Sequence, residues 1–230
     1  MHYDDDSVTT VAQSTEDGYE IVLRQRRRGD ATIDELIVNG AFAMDSASTT
    51  SELLLAEAVG DQPGRVLVGG LGLGYTAEKL LADGATHVDI VEISQALIGW
   101  AHQGLVQPAG RLAQDERVTL HHGDAAWLLC HQPALPGLFG PWDSIVLDID
   151  NGPDFLIHPE NARLYTIEGM RSALSHLVPG GKLALWSQGP SKDLWFDFLS
   201  LDPGATERLI AVDRGNRKID YAIYTLTRLD

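Results

Sequence analysis

One cysteine, Cys130, is all that 230 residues contain. No internal disulfide can form, so the chain is held by its core alone and suits a reducing compartment. Basic residues are scarce too: 17 Lys and Arg stand against 33 Asp and Glu, a formal net charge of -16. Such a surface repels phosphate backbones, which excludes nucleic acid as an expected partner. It draws cationic ligands instead. Long apolar runs are missing as well; none approaches the ~18 residues that a membrane-spanning helix needs. The start, Met1-His2-Tyr3-Asp4-Asp5-Asp6, lacks the basic-then-apolar order of a secretory signal. A soluble cytoplasmic protein with no membrane partner is the expectation, with Met1–Gln13 disordered.

What is present falls into two parts. Residues 1–50 hold the polar start and a small antiparallel β unit. Tyr19–Arg28 and Thr32–Met44 read as extended, Gly29-Asp30 turns between them, and a second turn falls at Asn39-Gly40. The run Arg24-Gln25-Arg26-Arg27-Arg28 is the one local excess of positive charge and reads as a solvated strand edge or a subunit contact. A helix around Ser51–Val59 follows, with Thr49, Thr50 or Ser51 as its cap.

Residues 51–230 alternate strand and helix. Strands are expected at Arg65–Val68, His87–Ile93, Val118–His121, Trp142–Ile149 and Lys182–Trp186. Helices are expected at Thr76–Asp83, Gln95–Gly104, from Ala125, and at Ile167–Leu177. Strands separated by helices imply a parallel, doubly wound sheet with right-handed crossovers. Arg208–Val212 and Tyr221–Arg228 break the rhythm as an antiparallel hairpin. The expected fold is therefore α/β and Rossmann-like: a mostly parallel doubly wound sheet with a C-terminal antiparallel hairpin, preceded by a small N-terminal β unit. That combination is characteristic of S-adenosylmethionine-dependent transferases.

Ligands of open α/β sheets lie beyond the carboxyl ends of the strands. Four such ends carry suitable groups. The first strand runs into Gly69-Gly70-Leu71-Gly72-Leu73-Gly74, where a ligand can approach bare backbone and the following helix N-terminus presents free N–H groups. Gly72, Gly74 and Ala77 also satisfy the dinucleotide pattern G-x-G-x-x-A, which leaves a nicotinamide oxidoreductase as a lesser reading. Glu92 ends the second strand with Ile93 beside it, placed to accept both ribose hydroxyls of an adenosine. Gly123-Asp124-Ala125 follows the third strand; Asp124 can accept from an adenine amine or simply cap the helix. The fourth strand ends in Leu147-Asp148-Ile149-Asp150. Asp148 and Asp150 can orient a cationic amine and take its proton, or cap the turn that follows. Trp186 and Tyr165 are candidate walls of an acceptor pocket or core residues. His121 and His122 are adjacent in a strand and face opposite sides, so no metal site is expected.

Taken in order, Val68–Gly74, Glu92, Gly123-Asp124 and Leu147–Asp150 resemble the spermidine synthase family, as do Gly152-Pro153, Leu164-Tyr165-Thr166 and Val178–Gly181. The resemblance implies that Gly70, Leu71, Gly72, Gly74, Glu92, Ile93, Gly123, Asp124, Ala125 and Asp148 bind S-adenosylmethionine or its decarboxylated form. It implies further that Asp148 orients and deprotonates an acceptor amine and that the protein is a homodimer; Asp150 is the alternative to Asp148 in that task, and Asp150, Tyr165 and Gln188 are the expected acceptor contacts. The departures lie on the acceptor side. The family's loop aspartate is Gly72 here, its D-S-S-D becomes Asp148-Ile149-Asp150-Asn151, Asp45–Glu57 has no tyrosine, and Pro190 follows Gln188-Gly189. A loop aspartate would hold an ammonium and repel a carboxylate. Its absence favours methyl transfer from S-adenosylmethionine to a small-molecule acceptor as the first expectation. Aminopropyl transfer to a polyamine and a non-catalytic adenosyl-ligand module stand as alternatives.

Overall fold

A computed structural model describes residues 7–131, 135, 137–149, 151–154, 156, 158–214 and 217–229. The N-terminal unit is a four-stranded antiparallel meander, β1 (Val8–Glu16), β2 (Tyr19–Arg28), β3 (Ala31–Val38) and β4 (Ala41–Asp45), in that spatial order. β2 has the bounds the sequence suggested, and the two expected turns divide it from β3 and β3 from β4. β1 corrects the expectation of disorder through Gln13. Val8-Thr9-Thr10-Val11 is a β-branched run, and β1 pairs with β2 from Val8 opposite Arg26 to Glu16 opposite Tyr19, with one irregularity at Val11. Residues 1–6 lie outside the described residues.

The strand-edge reading of the arginine run is corrected as well, because β2 is an inner strand. Arg24 and Arg26 both donate through Nε to Glu35 of β3, at 2.5 and 2.7 Å. Burial alone would raise the Glu35 carboxyl, but the guanidiniums of Arg26 and Arg24 outweigh it and hold Glu35 below its usual range.

The rest is a seven-stranded sheet built from β5 (Arg65–Gly69), β6 (His87–Glu92), β7 (Val118–His122), β8 (Trp142–Leu147), β9 (Leu177–Ser187), β10 (Thr206–Arg214) and β11 (Arg217–Thr227). Their spatial order is β10-β11-β9-β8-β5-β6-β7. β9 through β7 pair in parallel, and β11 and β10 add the antiparallel hairpin. Central strands such as Val66-Leu67-Val68 and Ile145-Val146-Leu147 are buried on both faces, which is why they read as unbroken apolar runs.

Helices α1 (Thr50–Glu57), α2 (Tyr75–Ala82), α3 (Gln95–His102), α4 (Gln107–Leu112), α5 (Ala125–Cys130), α6 (Ile167–Ser175) and α7 (Lys192–Leu201) cover the sheet. They divide the core into two clusters, one around Leu55, Leu80, Ile90 and Leu112, the other around Leu129, Met170, Leu177 and Phe198. α1 begins after Thr49 without a side-chain capping bond. α4 and α7 were not expected; α4 is one and a half turns long, too short for its periodicity to register. Among the described residues no helix is long and apolar enough to cross a membrane.

Candidate active site

The switch of strand order lies between β5 and β8, where β5 turns outward to β6 and β8 returns to its other side. Beyond their carboxyl ends a cavity of about 670 Å³ opens between the large sheet and the N-terminal meander. The large sheet supplies Gly70 and Gly72 after β5, Glu92 and Ile93 at β6, Gly123, Asp124 and Ala125 after β7, and Asp148 after β8. The meander supplies Tyr19, Ile21, Leu36, Val38, Ala43 and Met44 as the opposite wall, and α1 adds Ser51 and Glu52. Eight of the residues expected to bind the ligand therefore share one space.

Backbone bonds set these tips. The Gly70 N–H donates to the Val91 carbonyl, Gly123 to that of Glu92 and Asp148 to that of Gly69, each at 2.9 Å. Gly70 has φ +91, and a side chain there would run into the Asp148 carbonyl. The loop is glycine because the chain after β8 crosses against it.

Glu92 is 5% exposed. Its Oε2 accepts from the Leu71 N–H and its Oε1 from the Ser94 N–H, both at 2.8 Å. Burial pushes its carboxyl above the usual value, and these backbone donors offset only part of that. The group is held in place, and among the described residues no cation pairs with it.

Asp148 is half-buried, and Thr76 of α2 donates to its Oδ2 at 2.9 Å. Burial raises its pKa, with the Thr76 bond lowering it in part. Asp124 does two things at once. Its Oδ1 accepts from the Trp127 N–H and caps α5 at 2.9 Å, while its Oδ2 meets Arg163 Nη2 at 3.0 Å. The cap reading of Asp124 and its place on the cavity wall are thus both realised.

Other expected residues lie elsewhere. Leu71 contributes its N–H to Glu92 and its side chain to the core, and is not in the lining. Gly74 precedes α2 and packs against α4, again outside the lining. Tyr165 corrects the acceptor-wall reading: it sits in the core cluster with Leu164 and Met170. Gln188 faces a second, smaller cavity next to the first. Asp150 lies outside the described residues. His121 is turned to Asp89 at 3.1 Å, whereas His122 is exposed and bonds the Ile93 carbonyl at 3.1 Å.

Three contributions were not legible in the sequence. Glu52 is 7% exposed in α1, and Ser51 Oγ donates to it at 2.6 Å. Glu16, at the end of β1, accepts from Ser94 Oγ and from the Ala96 N–H at 2.8 Å each, tying the meander to the start of α3. Met44 of β4 reaches the glycine loop: the Leu73 N–H points at its sulfur, 3.3 Å away. A Cβ at Gly72, where φ is +50, would sit 2.6 Å from that sulfur. Met44 occupies the space that a loop side chain at position 72 would enter.

The charges of the lining are one-sided. Glu16, Asp17, Glu52, Glu92, Asp124, Asp148 and Glu160 line the cavity, with no Lys or Arg among its described residues. Arg163, outside the lining, pairs with Asp124 and with exposed Glu160 at 3.3 Å. Tyr19 and His158 close one side, ring centroids 4.4 Å apart. The arrangement can hold an adenosine-sized ligand on a glycine loop and attract cations to the centre.

No protein-family model matches the sequence, and no curated protein does. Solved structures do. A spermidine synthase from Thermotoga maritima is 15% identical with a TM-score of 0.72, over 95% of this chain and 72% of that one. A spermidine synthase in complex with the transition state analogue AdoDATO is 16% identical with a TM-score of 0.75, over 95% of this chain and 73% of that one. Strand order, hairpin, N-terminal meander and these alignments agree that the chain has the spermidine synthase fold.

Proposed function

We propose that this protein transfers an aminopropyl group from decarboxylated S-adenosylmethionine to an amine. The observation that carries the reading is the charge of the cavity: seven carboxylates and no Lys or Arg among its described lining. A ligand carboxylate within about 5 Å of one ionised lining carboxylate costs on the order of 3 kcal/mol at an effective dielectric near 20. An ammonium gains by the same amount. The wall therefore disfavours the carboxylate of S-adenosylmethionine and favours a donor whose tail is only an ammonium. It also favours an acceptor that arrives as an ammonium.

This reverses the weight placed on Gly72. The aspartate missing from the loop would collide with Met44, and α1 offers the buried Glu52 in the same cavity. Resemblance to spermidine synthases in fold supports the same reading.

Each residue then has a task. Glu92 takes the ribose hydroxyls and Asp124 the adenine edge in this reading, as the resemblance implies. Asp148, held by Thr76, accepts the proton of the incoming ammonium, and its raised pKa brings it closer in basicity to an amine. The neutral nitrogen attacks the carbon beside the donor's sulfonium; the C–N bond forms as the C–S bond breaks, with its electron pair left on sulfur. Positioning supplies most of the rate in such an in-line displacement.

Calorimetry with the two donors tests the reading, followed by mass spectrometry of product with an amine panel. Binding of the decarboxylated donor at least tenfold tighter, with an amine gaining an aminopropyl group, is expected. Tighter binding of S-adenosylmethionine and appearance of a methylated product would overturn it. That second outcome is the methyl-transfer reading.

A further inference from the structure

Next to the main cavity lies one of about 310 Å³. Ala43, Asn151, Trp186 and Tyr221 line both, so the two spaces adjoin between β4 and the strands β9 and β11. Their chemistry differs sharply. The large cavity is ringed by carboxylates, whereas the small one is walled by Phe42, Trp186, Ile219 and Tyr221 with the amides of Asn151 and Gln188, and its described lining has no charged side chain. Trp186 and Tyr221 meet edge to face, ring centroids 5.0 Å apart at 68°. This contact fixes the rings at the junction. Phe42 is 41% exposed at the rim, so an apolar group entering there takes part of its ring out of water.

We propose that this annex receives an apolar tail of the acceptor, which makes the acceptor a monoamine carrying an alkyl or aromatic tail and not an α,ω-diamine. The inference rests on the amine-transfer reading of the main cavity and deepens it. An amine held at Asp148 directs the remainder of its chain past Asn151 and Trp186 into the annex. A second ammonium there would give up part of its hydration and meet no carboxylate in the described lining. The aromatic faces return some of that loss by cation–π attraction. A phenyl or alkyl group loses nothing on entry and covers Phe42, Ile219 and the two rings. The carboxylates and the aromatics are thus divided between the two ends of one acceptor, its amine and its tail.

Titration calorimetry of the full chain with 4-phenylbutylamine and with 1,4-diaminobutane reads this out without turnover. The expected result is at least tenfold tighter binding of 4-phenylbutylamine. Phe42→Ala should weaken that amine about tenfold and move 1,4-diaminobutane by less than twofold, whereas Ile219→Asp should weaken it about tenfold and tighten 1,4-diaminobutane, whose second ammonium then meets a carboxylate. Equal or tighter binding of 1,4-diaminobutane, no binding of 4-phenylbutylamine, or indifference of both variants would overturn the proposal. Product formation, followed separately with decarboxylated S-adenosylmethionine, keeps the two readings apart. Tight 4-phenylbutylamine binding without aminopropyl product removes the transfer reading and leaves the annex. Product made faster from 1,4-diaminobutane removes the annex and leaves the transfer reading.

Discussion

Strand β6 carries two buried carboxylates three residues apart, Asp89 and Glu92, each under 6% exposed. They meet opposite surroundings. Asp89 lies towards the amino ends of the strands and is saturated: Trp142 Nε1 donates to it at 2.9 Å, Arg65 Nε at 3.0 Å, and His121 stands 3.1 Å away. Burial would raise its carboxyl, yet Trp142, His121, Arg65 and His87 together hold it below the usual range. Glu92, at the carboxyl end, has backbone N–H groups and, among the described residues, no cation, and its carboxyl is raised. One end of the sheet closes its charges upon themselves. The other leaves them for something that comes from outside, and that is what a binding site needs.

The contrast breaks most visibly at Asp148, the companion of Glu92. Asp148→Asn keeps the shape and removes the proton acceptor, so turnover should fall by about 10²–10⁴, with donor affinity within a few-fold by calorimetry. Retained turnover would remove Asp148 from the chemistry. At the structural end, Asp89→Asn should destabilise the fold by about 2–3 kcal/mol in urea titration, because Arg65 and the Trp142 N–H lose a charged partner. The part-exposed Arg65 side chain keeps the loss below that of a fully buried pair. Donor affinity should not change. Glu92→Ala should do the reverse, weakening the adenosyl ligand by about 1–3 kcal/mol.

The two ends should also answer pH with opposite signs. Asp89 is depressed in the fold, so its stabilisation is present above the unfolded carboxyl value and is lost as pH falls through the folded one. Asp148 is raised, so its contribution is present below the unfolded value and is lost as pH rises through the folded one. Thermal melts should therefore find Asp148→Asn more stable than the parent at neutral pH. That gap should close towards the unfolded Asp value of ~3.9. A parallel offset at all pH values would mean that the burial of Asp148 has been misjudged.

The smallest effect concerns the loop. Gly72→Asp should cost about 1–2 kcal/mol, from its positive φ and from Met44. Pairing it with Met44→Ala should recover part of that, since Met44 is the displaced side chain. Donor calorimetry on the double variant then asks whether a carboxylate at this position sharpens the preference for the decarboxylated donor.

Sequence pattern alone determined the alternation of strands and helices, the C-terminal hairpin and the four strand tips at Gly70, Glu92, Asp124 and Asp148. These follow from local rules: apolar runs make buried parallel strands, glycines follow the first of them, and an open α/β sheet puts its ligand beyond the carboxyl ends. β1 was missed because its polar alternation gains meaning only from pairing with β2. Glu16, Glu52, Met44 and the annex were decided by tertiary structure. Each depends on the meander and α1 folding back over the cavity, and no local period encodes which residues then face one another. The choice between donors turned on that arrangement, since charge acts across space: Met44 reaches the glycine loop and Glu52 lines the same cavity, each from more than a dozen residues away in the chain.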